Sequence, residues 1–124
     1  MQTEDNKKED NKKGYELVEK FMIDLKEQLK LDLLYMVGGS LAKGGYVHGI
    51  SDIDMVIIPK EKNISSYAYV WMNEFGRKYG TVVKHDRVIG VFDVMIPFTM
   101  RQQEAFRRSL LKLTEEKKIE VKVI

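Results

Sequence analysis

Several residue types and patterns are missing from this chain of 124 residues, and each absence excludes a class of protein. The chain contains no cysteine, which excludes disulfides and thiolate metal sites. No apolar run approaches the ~20 residues that span a membrane, and no signal-peptide segment is visible near the start. The 21 basic and 19 acidic side chains leave a net charge of +2, too small by itself to indicate nucleic-acid binding. We therefore expect a soluble, cytoplasmic protein without a membrane partner.

Length and hydrophobic content indicate one small folded domain. Domains most often contain ~100–150 residues, and 44% of the side chains here are hydrophobic, enough for an ordinary core. Residues 1–13, by contrast, include only Met1 as an apolar side chain and mix both charge signs. Such a segment buries too little surface to offset its ordering entropy. We predict a disordered charged tail over residues 1–13 and a folded domain over residues 14–124.

Hydrophobic spacing predicts alternating helices and strands. Apolar stripes of helical period occupy residues 15–30, 65–79 and the segment that follows Thr99, where Gln102 completes a capping box. The stripe over residues 65–79 predicts that Trp71, Met72 and Phe75 face the core. Short apolar or alternating runs predict strands at residues 33–37, 55–58, 88–96 (with its core at 91–96) and 119–124. Residues 81–84 form a possible short strand that pairs with the 88–96 strand in a hairpin around residues 85–87.

The short connection between the first two strands restricts the topology. Eleven residues separate Ser40 from Asp52, so these strands are expected to be antiparallel neighbours. The helix over residues 65–79 then crosses over and returns the strand at 91–96 parallel to the second strand. The prediction is an α/β fold, a single small domain with a mixed β-sheet and helices packed on it.

Three aspartates are predicted to meet at one edge of this sheet. Asp52 and Asp54 point the same way because strand side chains alternate between faces, and Asp93 begins the parallel strand beside them. Carboxylates are ligands for hard cations such as Mg²⁺, so the trio predicts a metal site. The structural alternatives are a helix-cap or turn role together with a salt bridge for Asp52 and Asp54, and an ion pair of Asp93 with a neighbour such as Arg87 or Lys84.

The turn Gly38-Gly39-Ser40 follows the first strand and opens a short helix. Glycine lets a phosphate approach the backbone, Ser40 adds a hydroxyl donor, and Lys43 adds a mobile positive charge. The stretch is not a Walker A loop, because Gly45 stands where that motif requires lysine. A phosphate cradle facing a carboxylate cluster predicts a site for a nucleoside triphosphate with one or two metals. The alternative is a tight turn capped by Ser40, with Lys43 solvated.

Two motifs resemble the polymerase-β-like nucleotidyltransferase superfamily. Residues 39–44 (GSLAKG) are similar to its Gly-Ser-x-Ala-Arg-Gly, with Lys43 in the arginine position. Residues 51–56 (SDIDMV) are similar to its Ser-Asp-Ile-Asp-Leu-Val, and residues 91–95 (VFDVM) fill the strand of the third carboxylate. The resemblance runs from residue 15 to the C-terminus and is strongest to the minimal, stand-alone domains.

The resemblance implies an enzyme that uses Mg²⁺ or Mn²⁺ to move a nucleoside monophosphate, AMP from ATP, onto an acceptor hydroxyl with release of pyrophosphate. Asp93 would complete the metal site that activates the acceptor. The implied catalytic and metal-binding residues are Asp52, Asp54 and Asp93, and the implied nucleotide-binding residues are Gly39, Ser40 and Lys43.

The acceptor and the role of a partner stay open at this point. A protein hydroxyl, an RNA end and a small molecule all fit as acceptors, and the larger relatives carry an additional helical domain that binds it. The register of the glycine turn is also open, since Gly38 instead of Gly39 could take the family's glycine position. The alternative function is a non-catalytic or nucleotide-sensing partner-binding module, such as the antitoxin half of a pair with a helical toxin protein.

Overall fold

The structure, a computed structural model, describes residues 3–116 and 122–123. None of the helices in this part of the chain is long and apolar enough to cross a membrane. In chain order the elements are α1 (Glu4–Leu29), β1 (Leu33–Val37), α2 (Gly39–Ala42), β2 (Ile53–Pro59), α3 (Ala68–Gly76), β3 (Thr81–Lys84), β4 (Arg87–Gly90), β5 (Phe92–Met95), α4 (Met100–Glu115) and β6 (Lys122–Val123).

The main sheet has four strands in the order β5-β2-β1-β6. Strand β1 is antiparallel to β2, while β2 is parallel to β5, with α3 in the connection between them. This confirms the predicted α/β domain with a mixed sheet. The register sets Asp54 directly opposite Asp93, so the parallel pairing brings the two carboxylates together.

Both faces of the sheet carry helices. On one face, Phe21 of α1 is fully buried and stacks on Phe92 of β5, with ring centroids 4.2 Å apart. On the other face, Leu110 of α4 packs against Leu34 and Ile58. Since strand side chains alternate, Asp54 shares the second face with Ile58 but lies nearer the start of β2. The carboxylates are therefore set at the edge of the α4 face.

Helix α1 includes ten residues of the predicted disordered tail, since residues 4–13 are helical in the structure. The Thr3 side chain accepts a hydrogen bond from the Asn6 N–H (3.1 Å) and caps the helix. Asn11 donates to the Gly44 carbonyl (3.1 Å), and Asp10 accepts from the His48 N–H (3.2 Å). Composition could not reveal these contacts, which join the early turns of α1 to a distant loop. Residues 1 and 2 of the predicted tail lie outside the described residues.

Helix α3 is shorter than the predicted helix over residues 65–79. It begins at Ala68 and continues after Gly76 as a 3-10 turn that ends at Tyr79. Met72 is fully buried, as predicted, but Trp71 is 43% exposed and stacks on Phe75 at 5.2 Å. The prediction that Trp71 faces the core was wrong, because its ring lies along the helix surface.

The predicted hairpin forms between β3 and β4 alone, as a separate two-stranded sheet. His85 and Asp86 make the turn with φ values of 51° and 62°, so Arg87 belongs to β4. The run predicted as one strand from residue 88 to 96 is divided between β4 and β5, since β5 leaves the hairpin and joins the main sheet. Of the predicted C-terminal strand, residues 122–123 pair with β1, and residues 119–121 and 124 lie outside the described residues.

Asn73 of α3 holds the outer side of strand β5. Its Nδ2 donates to the Val94 carbonyl (3.1 Å), and its Oδ1 accepts from the Val94 N–H (3.0 Å). The side-chain amide thus pairs with the edge strand as a neighbouring strand would. Because Val94 adjoins Asp93, this contact also fixes the backbone that carries the third carboxylate.

The start of α4 contains the predicted capping box, in which Thr99 and Gln102 exchange hydrogen bonds of 3.0 and 3.1 Å. The next residue, Gln103, is completely buried. Its side chain accepts from the Ile64 N–H (2.9 Å) and donates to the Ile64 carbonyl (2.7 Å). Gln103 therefore fastens the loop that precedes α3 to the start of α4.

We expect Gln103→Ala to lower the free energy of unfolding by ~2–4 kcal/mol, because it leaves partly buried backbone groups of Ile64 without their partner and opens a small cavity. The exposed neighbour offers a matched control, since Gln102→Ala removes only a cap interaction of ~1 kcal/mol. Urea denaturation of both variants measures the difference. Equal losses in the two variants would contradict the role given to Gln103.

Candidate active site

Three aspartates converge at the point where β2 and β5 begin. One oxygen from each of Asp52, Asp54 and Asp93 lies within 4.8 Å of the others. Asp54 and Asp93 are register partners on adjacent strands, and Asp52 immediately precedes β2. The convergence expected from the sequence is present. Three hard oxygen donors at this spacing fit a cation such as Mg²⁺ or Mn²⁺, and these three residues are the ones that could hold it.

Gly39 lies against the Asp54 carboxylate. Its φ is +59°, and a Cβ at this position would be 2.1 Å from Asp54 Oδ2. Two constraints therefore select glycine here, the left-handed backbone and the close approach of a side chain. Gly38 differs, since its backbone is extended and a Cβ would meet nothing within 4 Å. The steric requirement falls on Gly39, in agreement with the register of the motif at residues 39–44.

The other two predicted nucleotide-binding residues follow Gly39 along the chain. Ser40 is half-buried in α2, and its carbonyl accepts a hydrogen bond from the Gly45 N–H (2.8 Å). Lys43 is exposed just after α2, and its N–H donates to the Gly39 carbonyl (3.2 Å). The turn is thereby closed on itself, with the Lys43 side chain in solvent beside it.

The loop from α2 to β2 is anchored on both sides. Tyr46 is fully buried, and its hydroxyl is 3.0 Å from His48 Nδ1. Burial, followed by the nearby charge of Asp10, raises the pKa of Tyr46 above its usual value. The Ser51 hydroxyl accepts a hydrogen bond from the Val47 N–H (3.0 Å) at the end of the loop. These contacts hold the backbone that delivers Asp52 to the site.

Lys84 at the end of β3 forms an ion pair with Asp52, with Nζ and Oδ2 3.0 Å apart. The sequence suggests Lys84 only as a partner of Asp93. Its hydrogen bond and attraction to Asp52 raise the pKa of Lys84. This contact was missed because the hairpin's position relative to the main sheet depends on tertiary packing. The feature of the sequence that could have indicated Lys84 is its position, as a basic residue at the tip of a predicted hairpin that precedes the third carboxylate.

The electrostatics of the trio favour a bound cation. Burial raises the pKa of Asp54, and the negative charges of Asp52 and Asp93 raise it further, while Lys84 opposes the shift. The protein thus sets a partly buried carboxyl group among like charges. A cation among the three oxygens would relieve that repulsion, so the arrangement is suited to metal binding.

The family model described as "Nucleotidyltransferase domain" matches residues 18–123. No curated protein and no solved structure matches the chain.

We expect Gly39→Ala to destabilise the fold by ~1–3 kcal/mol, because alanine must adopt positive φ and its Cβ must displace Asp54 Oδ2. The same variant should also bind Mg²⁺ more weakly, since Asp54 is moved. Gly38→Ala is the matched control and should leave both properties nearly unchanged. Thermal unfolding with and without Mg²⁺ measures both effects. Similar behaviour of the two variants would contradict the close approach of Gly39 to Asp54.

The raised pKa of Asp54 predicts how the stability of the fold depends on pH. The dependence is opposite to that of an ordinary ion-paired carboxyl group, whose pKa is lowered by folding. Because the folded-state pKa is raised, its contribution to stability is fully present below the unfolded pKa and is lost as the pH rises through the folded value. Asp54→Asn cannot ionise, so in chelator at neutral pH this variant should unfold at a higher temperature than the wild type. The advantage should disappear at acid pH.

Thermal unfolding across the pH range checks this, with Asp32→Asn as a control in an exposed carboxyl far from the site. A lower unfolding temperature for Asp54→Asn at neutral pH would show that ionised Asp54 is not under repulsion.

Proposed function

The chain belongs to the nucleotidyltransferase domain family, and we propose that it transfers a nucleoside monophosphate, AMP from ATP, to an acceptor hydroxyl with release of pyrophosphate. The observation that carries the proposal is the set of three carboxylate oxygens within 4.8 Å of one another, beside the Gly39 turn. A cytoplasmic setting would supply ATP and Mg²⁺.

The proposed metal ligands are Asp52, Asp54 and Asp93. Their oxygen donors and close spacing suit Mg²⁺ or Mn²⁺. When bound there, the metal would offset the charge of the phosphates and make the acceptor hydroxyl a better nucleophile. Asp93 is the most exposed of the three and lies on the edge strand β5, so it is the carboxylate most accessible to an incoming acceptor.

The proposed phosphate contacts come from the turn after β1. Gly39 brings the backbone of the turn into contact with the Asp54 carboxylate, so a phosphate held by the turn would lie beside the carboxylates. Ser40 would donate its hydroxyl to the β- and γ-phosphates. Lys43, exposed at the end of α2, would attract the triphosphate as a point charge, since lysine lacks the planar fork of arginine.

The proposed reaction is an in-line displacement. The acceptor oxygen forms a bond to the α-phosphorus, and the bond from that phosphorus to the bridging oxygen breaks. Pyrophosphate leaves with the electron pair, and the hydroxyl proton passes to solvent. Asp54 must be ionised to hold the metal, so its raised pKa in the metal-free protein predicts that Mg²⁺ binding strengthens as the pH rises through that pKa.

Label transfer tests the proposal. The protein is incubated with each α-labelled nucleoside triphosphate and Mg²⁺, alone and with host RNA, host protein and small-molecule fractions. We expect label from ATP on one of these acceptor classes. Asp54→Asn should reduce transfer by at least ~10³-fold, since loss of a ligand removes electrostatic stabilisation of the transition state.

Asp32→Asn is the matched control, because this carboxylate pairs with Lys26 at the opposite end of β1. Undiminished transfer by Asp54→Asn would contradict the assignment. Absence of transfer from every nucleotide, with Mg²⁺-dependent nucleotide binding retained, would favour a nucleotide sensor.

A second candidate function is a partner-binding module, and exposed apolar side chains favour it. Tyr67 and Phe98 are 75% and 69% exposed, and Met95 on β5 is 63% exposed. An edge-on contact between Tyr69 and Phe98, with ring centroids 6.3 Å apart, shows that α3 adjoins the segment after β5. Apolar side chains at this exposure are common at interfaces with other proteins, including helical ones. Co-purification of a partner that survives Asp54→Asn but fails in Phe98→Ser would separate binding from catalysis.

A further inference from the structure

The ion pair between Lys84 and Asp52 joins two separate sheets. Lys84 is the last residue of β3, in the small hairpin sheet, whereas Asp52 precedes β2 of the main sheet. The Asp52 side chain is only 14% exposed, and the Lys84 side chain is 50% exposed. The cation therefore reaches in from solvent to a carboxylate that is mostly enclosed.

We propose that Lys84 is an exchangeable counter-cation of the carboxylate site, which a divalent cation displaces and which then contacts the triphosphate. The inference rests on the proposed function and adds to it a residue from outside the family motifs. Lys84 neutralises part of the trio's charge while no metal is bound, and it leaves when a stronger cation enters.

Displacement follows from the distances. The three carboxylates offer oxygens within 4.8 Å of one another, and the Lys84 ammonium is 3.0 Å from one oxygen of Asp52. A divalent cation held by the trio would thus be a close neighbour of the ammonium, in a partly enclosed place where charges are weakly screened. Like charges at such a separation repel, so binding of one cation disfavours the other.

The side chain of Lys84 can move away from Asp52. Its four-carbon stem is flexible and half-exposed, and its β-strand pairs only with β4 among the described elements. The turn after it, at His85 and Asp86, adopts positive φ and allows the tight reversal that projects the hairpin tip. Withdrawal of the side chain therefore breaks the ion pair with Asp52 but leaves the backbone pairing of β3 with β4 in place.

The destination of Lys84 is indicated by its cross-strand partner. Lys84 and Arg87 are paired in the β3–β4 register, and directly opposite residues carry their side chains on the same face. The face that brings the lysine to Asp52 therefore carries a second cation. Two adjacent positive charges beside a metal site suit the triphosphate, which bears several negative charges.

Lys84→Met tests the proposal, because methionine keeps most of the stem and removes the charge. Lys26→Met is the matched control, since Lys26 forms a similar ion pair with Asp32 at 3.2 Å and has a side-chain exposure of 45%, close to that of Lys84. Calorimetry measures binding of Mg²⁺ alone, and then of the non-hydrolysable α,β-methylene analogue of ATP at saturating Mg²⁺.

We expect Lys84→Met to bind Mg²⁺ about tenfold more tightly than the wild type, because a competing charge is gone, and to bind the analogue about tenfold more weakly. In chelator it should unfold at a lower temperature. Lys26→Met should change neither affinity. Opposite changes in the two affinities cannot come from a general loss of structure, which would weaken both.

Unchanged or weaker Mg²⁺ binding by Lys84→Met would overturn the proposal while leaving the proposed function intact. Tighter Mg²⁺ binding with unchanged binding of the analogue would overturn the transfer of Lys84 to the phosphates, and with it the proposal. A wild-type protein that binds no divalent cation would overturn both the proposal and the proposed function.

Discussion

The site depends on the contact between the Gly39 backbone and the Asp54 carboxylate. A Cβ on Gly39 would be 2.1 Å from Asp54 Oδ2, so no other residue type leaves the carboxylate where it is. The Gly38 N–H donates to the Asp54 carbonyl (2.9 Å), which extends the β1–β2 pairing by one more bond up to the turn. One steric constraint thus joins the turn, the antiparallel strand pair and the carboxylate cluster. The parallel register then adds Asp93 from β5.

This arrangement has an electrostatic cost that the structure offsets locally. Burial and two neighbouring carboxylates raise the pKa of Asp54, and Lys84 opposes that shift from the hairpin. Functional sites often carry such unfavourable charge arrangements, because the binding of a ligand relieves them. The fold supports the cluster at a distance through Asn73, which fixes β5, and through α1, which anchors the loop before Asp52.

The sequence predicted the parts of the fold that have short-range causes. Because only eleven residues lie between Ser40 and Asp52, strands β1 and β2 were expected to be antiparallel neighbours. The two-residue period of strand side chains predicted that Asp52 and Asp54 point to the same side. The contacts that the sequence did not predict join residues far apart in the chain. The composition of residues 4–13 predicts disorder, but in the structure Asp10 and Asn11 contact the loop at residues 44–48. The pairing of Lys84 with Asp52 depends on how the hairpin packs, which no local pattern specifies.

The most direct test of a metal site at the three carboxylates is anomalous diffraction from crystals soaked in Mn²⁺ with a non-hydrolysable ATP analogue. We expect an anomalous peak bonded to Asp52, Asp54 and Asp93, phosphates beside Gly39 and Ser40, and a Lys84 side chain withdrawn from Asp52. The contradicting result is ordered nucleotide or Mn²⁺ elsewhere on the protein, with no peak at the carboxylates and Lys84 still paired to Asp52. That outcome would make the cluster a structural feature of the sheet edge.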